Sequence, residues 1–243
     1  QVDGFDQVAL GNLNEMRAAI TAETAAIMFE PVQGEGGIRA MEADYVKELR
    51  AIADEYGLLL MADEVQTGIG RTGKLFGYEW FGIKPDVMAL AKGLGGGFPV
   101  GATLATAKVA KAMSAGSHGS TFGGNPLAMA VANAVLDVVL EDGFLDNVMR
   151  TGKLLHDSMN DLAAKYPGMF SEARGIGMHL GLRCHDSIVN NDVVVKAMSN
   201  GLMIVPAGDN VIRLIPPMTI TEQHVVEAMA ILEKVCEELK AEG

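Results

Sequence analysis

Leu58–Gly73 reads LLLMADEVQTGIGRTG, and the fold turns on it. Five apolar residues, Leu58 to Ala62, run straight into Asp63 and Glu64, and a glycine-rich segment follows. An apolar run this short, bounded by Gly57 and a polar loop, predicts a strand buried on both faces. Asp63 then lies at the carboxyl end of the strand, where open α/β sheets bind ligands. A lone aspartate there most often caps or turns its loop. A second run changes that reading. Val87–Ala91, VMALA, ends on Lys92 within AKGLGGG (Ala91–Gly97). The intervening chain suffices for one loop and one crossover, so an acid and an amine can meet over one crevice.

That pairing has a chemical use. A lysine amine can form a Schiff base with an aldehyde cofactor. A carboxylate can keep a pyridine nitrogen protonated, so that the ring acts as an electron sink. Pyridoxal phosphate (PLP) needs both. Four ordered motifs carry a resemblance: EPVQGEGG (Glu30–Gly37), ADEVQTGIGRTG (Ala62–Gly73), AKGLGGGFPVGA (Ala91–Ala102) and GSHGSTFGGNPLA (Gly116–Ala128). Together they resemble the class III aminotransferases, and within them the acetylornithine/succinylornithine branch. The likeness runs over essentially the whole chain but begins partway into the family pattern.

The resemblance implies a fold-type-I PLP enzyme of the α/β class. Residues 1–140 would be part of the PLP-binding large domain, with a mostly parallel sheet, and residues 141–243 a small C-terminal α/β domain. It implies that Lys92 carries the cofactor and moves the substrate proton, and that Asp63 pairs with the ring nitrogen. Val65 would pack on the ring, Gln66 would sit near its phenolic oxygen, and Glu64 belongs to the same cofactor-binding run. Gln66 also leans away from the glutamate-1-semialdehyde aminomutases. Ser120 would touch substrate, and Thr121 would reach the PLP phosphate of a neighbouring subunit, which places the site at a homodimer interface. Glu35 and Arg213, with Glu30 nearby, are the implied substrate-binding residues. A closed Glu35–Arg213 pair hides the cation from an amine; an open one lets Arg213 grip a carboxylate bidentately. Arg71 and Arg39 read as solvated or structural.

The implied reaction moves the δ-amino group of N-acetylornithine or N-succinylornithine to 2-oxoglutarate, a step of arginine metabolism. Ornithine or 4-aminobutyrate aminotransferase is the nearest alternative, since the lysine and aspartate are shared. A non-enzymatic fragment that acts only in subunit association is the other. The family's phosphate cup, its ring-stacking aromatic residue and its α-carboxylate arginine match nothing here. The chain supplies about four large-domain strands, so the expectation is weak PLP binding and slow turnover for residues 1–243 alone.

Composition narrows the class further. The chain has 243 residues, 49% of them apolar, and a net charge of −12. Its mean hydropathy is +0.21. This acidity disfavours nucleic acid, whose phosphates need Lys/Arg patches. No apolar run approaches the ~18 residues of a membrane span, and Gln1–Gly11 has no signal-peptide pattern. Two cysteines without a CxxC fit a reducing cytoplasm and no metal framework. His118 with Glu30 or Glu35 lacks metal-ligand spacing.

The remaining pattern predicts helices over Asn12–Thr21, Ala43–Tyr56, Asn125–Glu141, Phe144–Tyr166, Val189–Asn200 and from Thr221 onward. It predicts strands over Ala25–Phe29, Gly101–Thr106 (antiparallel to its neighbour), Gly177–Cys184, Leu202–Val205 and Val211–Ile215. Alanines and valines in the Asn125 helix predict burial on most sides.

Overall fold

The computed structural model describes residues 3–242, so the first two positions of the Gln1–Gly11 reading lie outside it. Short helix α1 (Leu13–Ala19) leads to strand β1 (Ala26–Phe29). A hairpin, β2 (Val32–Gln33) with β3 (Arg39–Ala40), comes next. Helix α2 (Ala43–Tyr56) then delivers the chain to β4 (Leu59–Asp63). Val46, Leu49, Ile52 and Ala53 form the buried face of α2. They pack on Ile27, Phe29, Leu60 and Ala62. Each large aliphatic residue buried there contributes roughly 1.5–3 kcal/mol. Gly57 ends the helix at φ 69°, in the left-handed region where a Cβ is costly. Leu58 N–H then returns to the Ala53 carbonyl at 2.8 Å.

The first sheet runs β1-β4-β5-β6, with β5 at Val87–Leu90 and β6 at Ala102–Ala105. β1, β4 and β5 are parallel, and β6 is antiparallel to β5, as its short glycine-rich link predicts. Asp86 fixes the register, accepting Leu60 N–H at 2.9 Å and Arg50 Nη1 at 2.7 Å. β4 departs from expectation. Leu60 and Ala62 are buried but Leu59, Met61 and Asp63 only partly so. One face meets the α2 core, and the other is only partly covered.

Short helix α3 (Ala107–Ala110) precedes an exposed loop, and α4 (Pro126–Val139) follows. Asn125 caps α4 by accepting Ala128 N–H at 2.9 Å. Burial on most sides does not hold for α4. Only Ala128, Ala132 and Val139 are buried, and Leu127 is 60% exposed. The helix packs along one side, against the 3₁₀ turn Lys92–Gly95 and the next helix.

That helix, α5 (Phe144–Lys165), opens the C-terminal layer. Its face of Val148, Leu155, Met159 and Leu162 is buried as the spacing predicts. The antiparallel sheet β7-β8-β10-β9 uses Phe170–Ile176, His179–Cys184, Val211–Leu214 and Val205–Ala207. Helices α6 (Asn190–Ser199) and α7 (Glu222–Glu242) complete the core. β7 has no counterpart in the sequence reading: only its first residue, Phe170, is fully buried, so its alternation is faint.

A three-backbone stack joins the layers. Met178 N–H donates to the Arg71 carbonyl at 3.0 Å. A Cβ on Gly177 would lie 2.8 Å from that oxygen, and a Cβ on Gly152 of α5 would run into the Gly177 carbonyl. Gly152→Ala is therefore expected to invert the usual helix effect. In an open helix alanine gains up to about 1 kcal/mol; here overpacking should cost about 1–3 kcal/mol, seen as a lower midpoint of chemical unfolding.

Candidate active site

The parallel strands decide where the chemistry collects. β1, β4 and β5 end side by side, at Phe29, Asp63 and Leu90. Glu30, Asp63 and Lys92 therefore emerge at one sheet edge. Glu64 N–H extends the ladder to the Ala89 carbonyl at 3.0 Å. Lys92 itself has φ 40°, a left-handed conformation that costs a lysine roughly 1–2 kcal/mol. Such strain persists only where surrounding structure imposes it, and it collects at functional sites.

Lys92 faces a cavity of about 280 Å³. Glu35, Val65, Gln66, Arg71 and Arg213 also line it. Opposite the sheet edge, Arg213 Nη1 donates to Glu35 Oε1 at 2.5 Å. Arg213 comes from β10 and Glu35 from the hairpin turn, so the pair bridges two layers. The Arg213 guanidinium holds the Glu35 carboxyl below the usual carboxylate range. Arg213 Nε is buried and, among the described residues, unpartnered. Gln66 Nε2 reaches the same Glu35 oxygen at 3.4 Å. Gly34 makes room for it, since a Cβ there would sit 2.7 Å from Gln66 Nε2.

The other candidate residues take distinct places. Asp63 accepts Val65 N–H at 3.0 Å, which orients its carboxylate at the strand end. Glu30 is partly buried, accepts Gly34 N–H at 3.0 Å, and burial pushes its carboxyl up. Glu64 lies off the cavity. It is buried and accepts from Thr67 Oγ1 at 2.5 Å, Gly77 N–H at 2.9 Å and Tyr78 N–H at 2.7 Å. Its observed role is to anchor the following loop, with its carboxyl pushed up by burial. Ser120 and Thr121 lie in the exposed loop before α4, outside the cavity lining, with Ser120 Oγ accepting Gly123 N–H at 3.0 Å.

Arg71, in the cavity wall, and the buried His179 are not announced by the sequence pattern. Arg71 is largely buried. Its Nη1 donates to the Pro216 carbonyl at 2.5 Å and the Met178 carbonyl at 3.4 Å. Burial lowers its pKa to about 10. It fastens the loop after Asp63 to the end of the strand bearing Arg213. His179 is fully buried, with neither ring nitrogen hydrogen-bonded among the described residues. It stands alone in an apolar strand run, where a histidine gives no pattern.

A ring aldehyde cofactor fits this donor set. An amine faces the cavity, a carboxylate ends the adjacent parallel strand, and Val65 adds an apolar surface to the cavity wall.

His179 generates a stability test. Desolvation first, then Arg71, Arg213 and Lys92, lower its pKa to about 4 from an ordinary 6.5. Below pH 6.5 the unfolded chain gains a proton that the folded chain refuses, so stability falls as pH drops toward 4. Replacing it with leucine should remove about 2 kcal/mol of the stability difference between pH 7 and pH 5. Urea unfolding at both pH values checks this.

Comparison with known proteins follows the same lines. The model of the family described as Aminotransferase class-III matches residues 3–236. Acetylornithine aminotransferase of Brucella melitensis is 53% identical over 240 residues, covering 98% of this chain and 59% of that protein. The Mesorhizobium japonicum enzyme of the same name is 55% identical over 229 residues, covering 94% and 57%. The chain thus spans somewhat under two thirds of the length of these relatives. Among solved structures, N-acetylornithine aminotransferase from Stenotrophomonas maltophilia superposes with TM-score 0.90 at 35% identity, covering 100% of this chain and 65% of that one. Ornithine aminotransferase from Toxoplasma gondii gives TM-score 0.91 at 34% identity, covering 99% and 58%, in a structure that reveals partial occupancy of PLP at its active site. With its α/β fold, the order of its motifs and the match over nearly its full length, this chain belongs to the class-III aminotransferase family.

Proposed function

We propose that this cavity is the substrate side of an acetylornithine aminotransferase site. It would transfer the δ-amino group of N-acetylornithine or N-succinylornithine to 2-oxoglutarate in two half-reactions. The observation that carries the reading is one cavity lined by both Lys92 and the Glu35–Arg213 pair. The names of the relatives support the donor class.

PLP, when bound, supplies the aldehyde and the electron sink. Asp63 would hold the ring nitrogen and Val65 would pack on the ring, with Gln66 near its phenolic oxygen. The Lys92 amine would hold the cofactor and then carry a proton at the substrate carbon. Glu35 would cover Arg213 while the amine is bound and release it to the keto acid. Glu30, at the same edge, would line the substrate approach, and Glu64 would brace the cofactor-binding run from behind.

A homodimer completes the reading. Exposed apolar residues gather along α4 and the loop before it, including Met113, Phe122, Leu127 and Met129. A second copy would cover them, and the same loop would bring Thr121 to the partner's phosphate and Ser120 to its substrate. Two buried free cysteines fit a cytoplasmic setting. Among the described residues no helix is long and apolar enough to cross a membrane. Likeness to ornithine aminotransferase in the solved structures keeps ornithine as a second donor to assay.

Two experiments test the proposal in the protein carrying this sequence. Borohydride reduction with PLP, followed by peptide mapping, should label Lys92; label on another lysine would overturn the assignment. Arg213→Ala should slow the 2-oxoglutarate half-reaction by roughly 100-fold, the scale of a lost charged hydrogen bond. The amine half-reaction should change far less. Equal losses in single-turnover assays would count against the switch.

A further inference from the structure

Glu35 and Arg213 sit on separate pieces of chain, and something must hold those pieces in register. The β2–β3 hairpin carries Glu35 at its turn, while β10 carries Arg213. The two meet through the turn between β9 and β10. Gly208 N–H in that turn donates to the Glu35 carbonyl at 2.8 Å. A Cβ on Gly208 would lie 2.9 Å from the same oxygen, and one on Gly37 would lie 2.7 Å from the Gly208 carbonyl. The backbones touch.

Asp209 is the next residue, and its carboxylate gathers three arginines. Oδ2 accepts Arg174 Nη1 at 2.6 Å and Arg39 Nη2 at 2.8 Å, and Oδ1 faces Arg183 Nε at 3.4 Å. Arg39 belongs to the hairpin; Arg174 and Arg183 belong to β7 and β8. Arg174 Nη1 also reaches the Gly37 carbonyl at 3.3 Å. Glu172 and Asp186 offset part of the charge on Arg174 and Arg183. Asp209 carries the only carboxylate paired with Arg39 among the described residues. Its carboxyl is held well below the usual range, first by Arg174 and then by Arg39.

Asp209 and Asn210 both have φ 54°, the left-handed conformation that tight hairpin turns use and that Asp and Asn tolerate. Asn210 is pinned from below, its Nδ2 donating to the Ile188 carbonyl at 2.7 Å and its Oδ1 accepting Asn190 N–H at 2.9 Å. Asp209 is thus presented upward to the hairpin. An isolated exposed pair would stabilise little. Here one partly buried anion stands among three cations, so removing its charge leaves arginines of the hairpin and the sheet repelling one another.

We propose that Asp209 is a positioning residue for substrate selection: its carboxylate clamps the Glu35 hairpin onto the turn leading into Arg213 and sets how fully Glu35 covers that arginine. This rests on Glu35–Arg213 being the selecting pair. Loosening the clamp uncovers Arg213, which favours substrates with a carboxylate beside the reacting carbon.

The test uses PLP-loaded protein carrying this sequence and two variants, Asp209→Asn and Arg39→Met. Single-turnover half-reactions are compared for L-glutamate and N-acetylornithine. The ratio of the two rates cancels any inactive fraction. Both variants should shift it toward glutamate by about fivefold, and in a Glu35→Gln background by less than about twofold. Amide hydrogen exchange should quicken over residues 34–38 and at Gly208 in both variants. A ratio unchanged while both half-reactions fall together overturns the clamp, as does a full additional shift in the Glu35→Gln background. If Glu35→Gln alone leaves the ratio unmoved, the selecting-pair reading fails and the clamp fails with it.

Discussion

The parallel pairing of β4 with β5 is the constraint on which everything else depends. Its register sets Asp63 opposite Ala89, so the chain leaving β5 must turn at Lys92, beside the aspartate. Neither residue could be placed by local preference. Lys92 in particular holds a backbone conformation that lysine avoids. The turn is imposed from outside, by the ladder on one side and by Leu94 and Gly95, buried beneath α4, on the other. Asp86 guards the pairing at its other end, where Arg50 and Leu60 N–H converge on one carboxylate.

A second constraint sets the far wall of the cavity. The loop after Asp63 does not end at the first sheet. Through Arg71 it takes hold of the Met178 and Pro216 carbonyls, and through Gly177 and Gly152 it packs backbone on backbone against α5. Arg213 lies three residues before Pro216. One loop thus carries the acid that would meet the cofactor and fixes the strand that would meet the substrate. The glycines of this seam serve close approach, not flexibility. In two sheets linked only by side chains, the distance from Lys92 to Arg213 would drift with every rotamer.

Much of this was legible in the chain. The apolar runs at 58–62 and 87–91 stand out because buried parallel strands need no polar alternation, and Asn125-Pro126 announces α4 because cap chemistry is local. Only the family resemblance implied Glu35 with Arg213, a pair that spacing alone could not join. What escaped was tertiary. Glu64 neighbours Asp63 in sequence, yet its side chain serves the loop at 77–78. Arg71 reads as one more polar loop residue until the carbonyls of Met178 and Pro216, at the ends of second-sheet strands, accept from it. α4 is mostly apolar, and no sequence pattern says which of its apolar sides this chain leaves uncovered. β7 leaves most of its residues partly exposed, so its periodicity is faint.

The central claim is that β4 and β5 deliver an acid and an amine to opposite ends of one bound ring. A crystal structure of the PLP-loaded protein tests it most directly. The expected result is the ring nitrogen within about 3 Å of an Asp63 carboxylate oxygen, with Lys92 at the aldehyde end of the same ring. A ring nitrogen held by any other group, or a ring lying away from the edge formed by β4 and β5, would contradict the account.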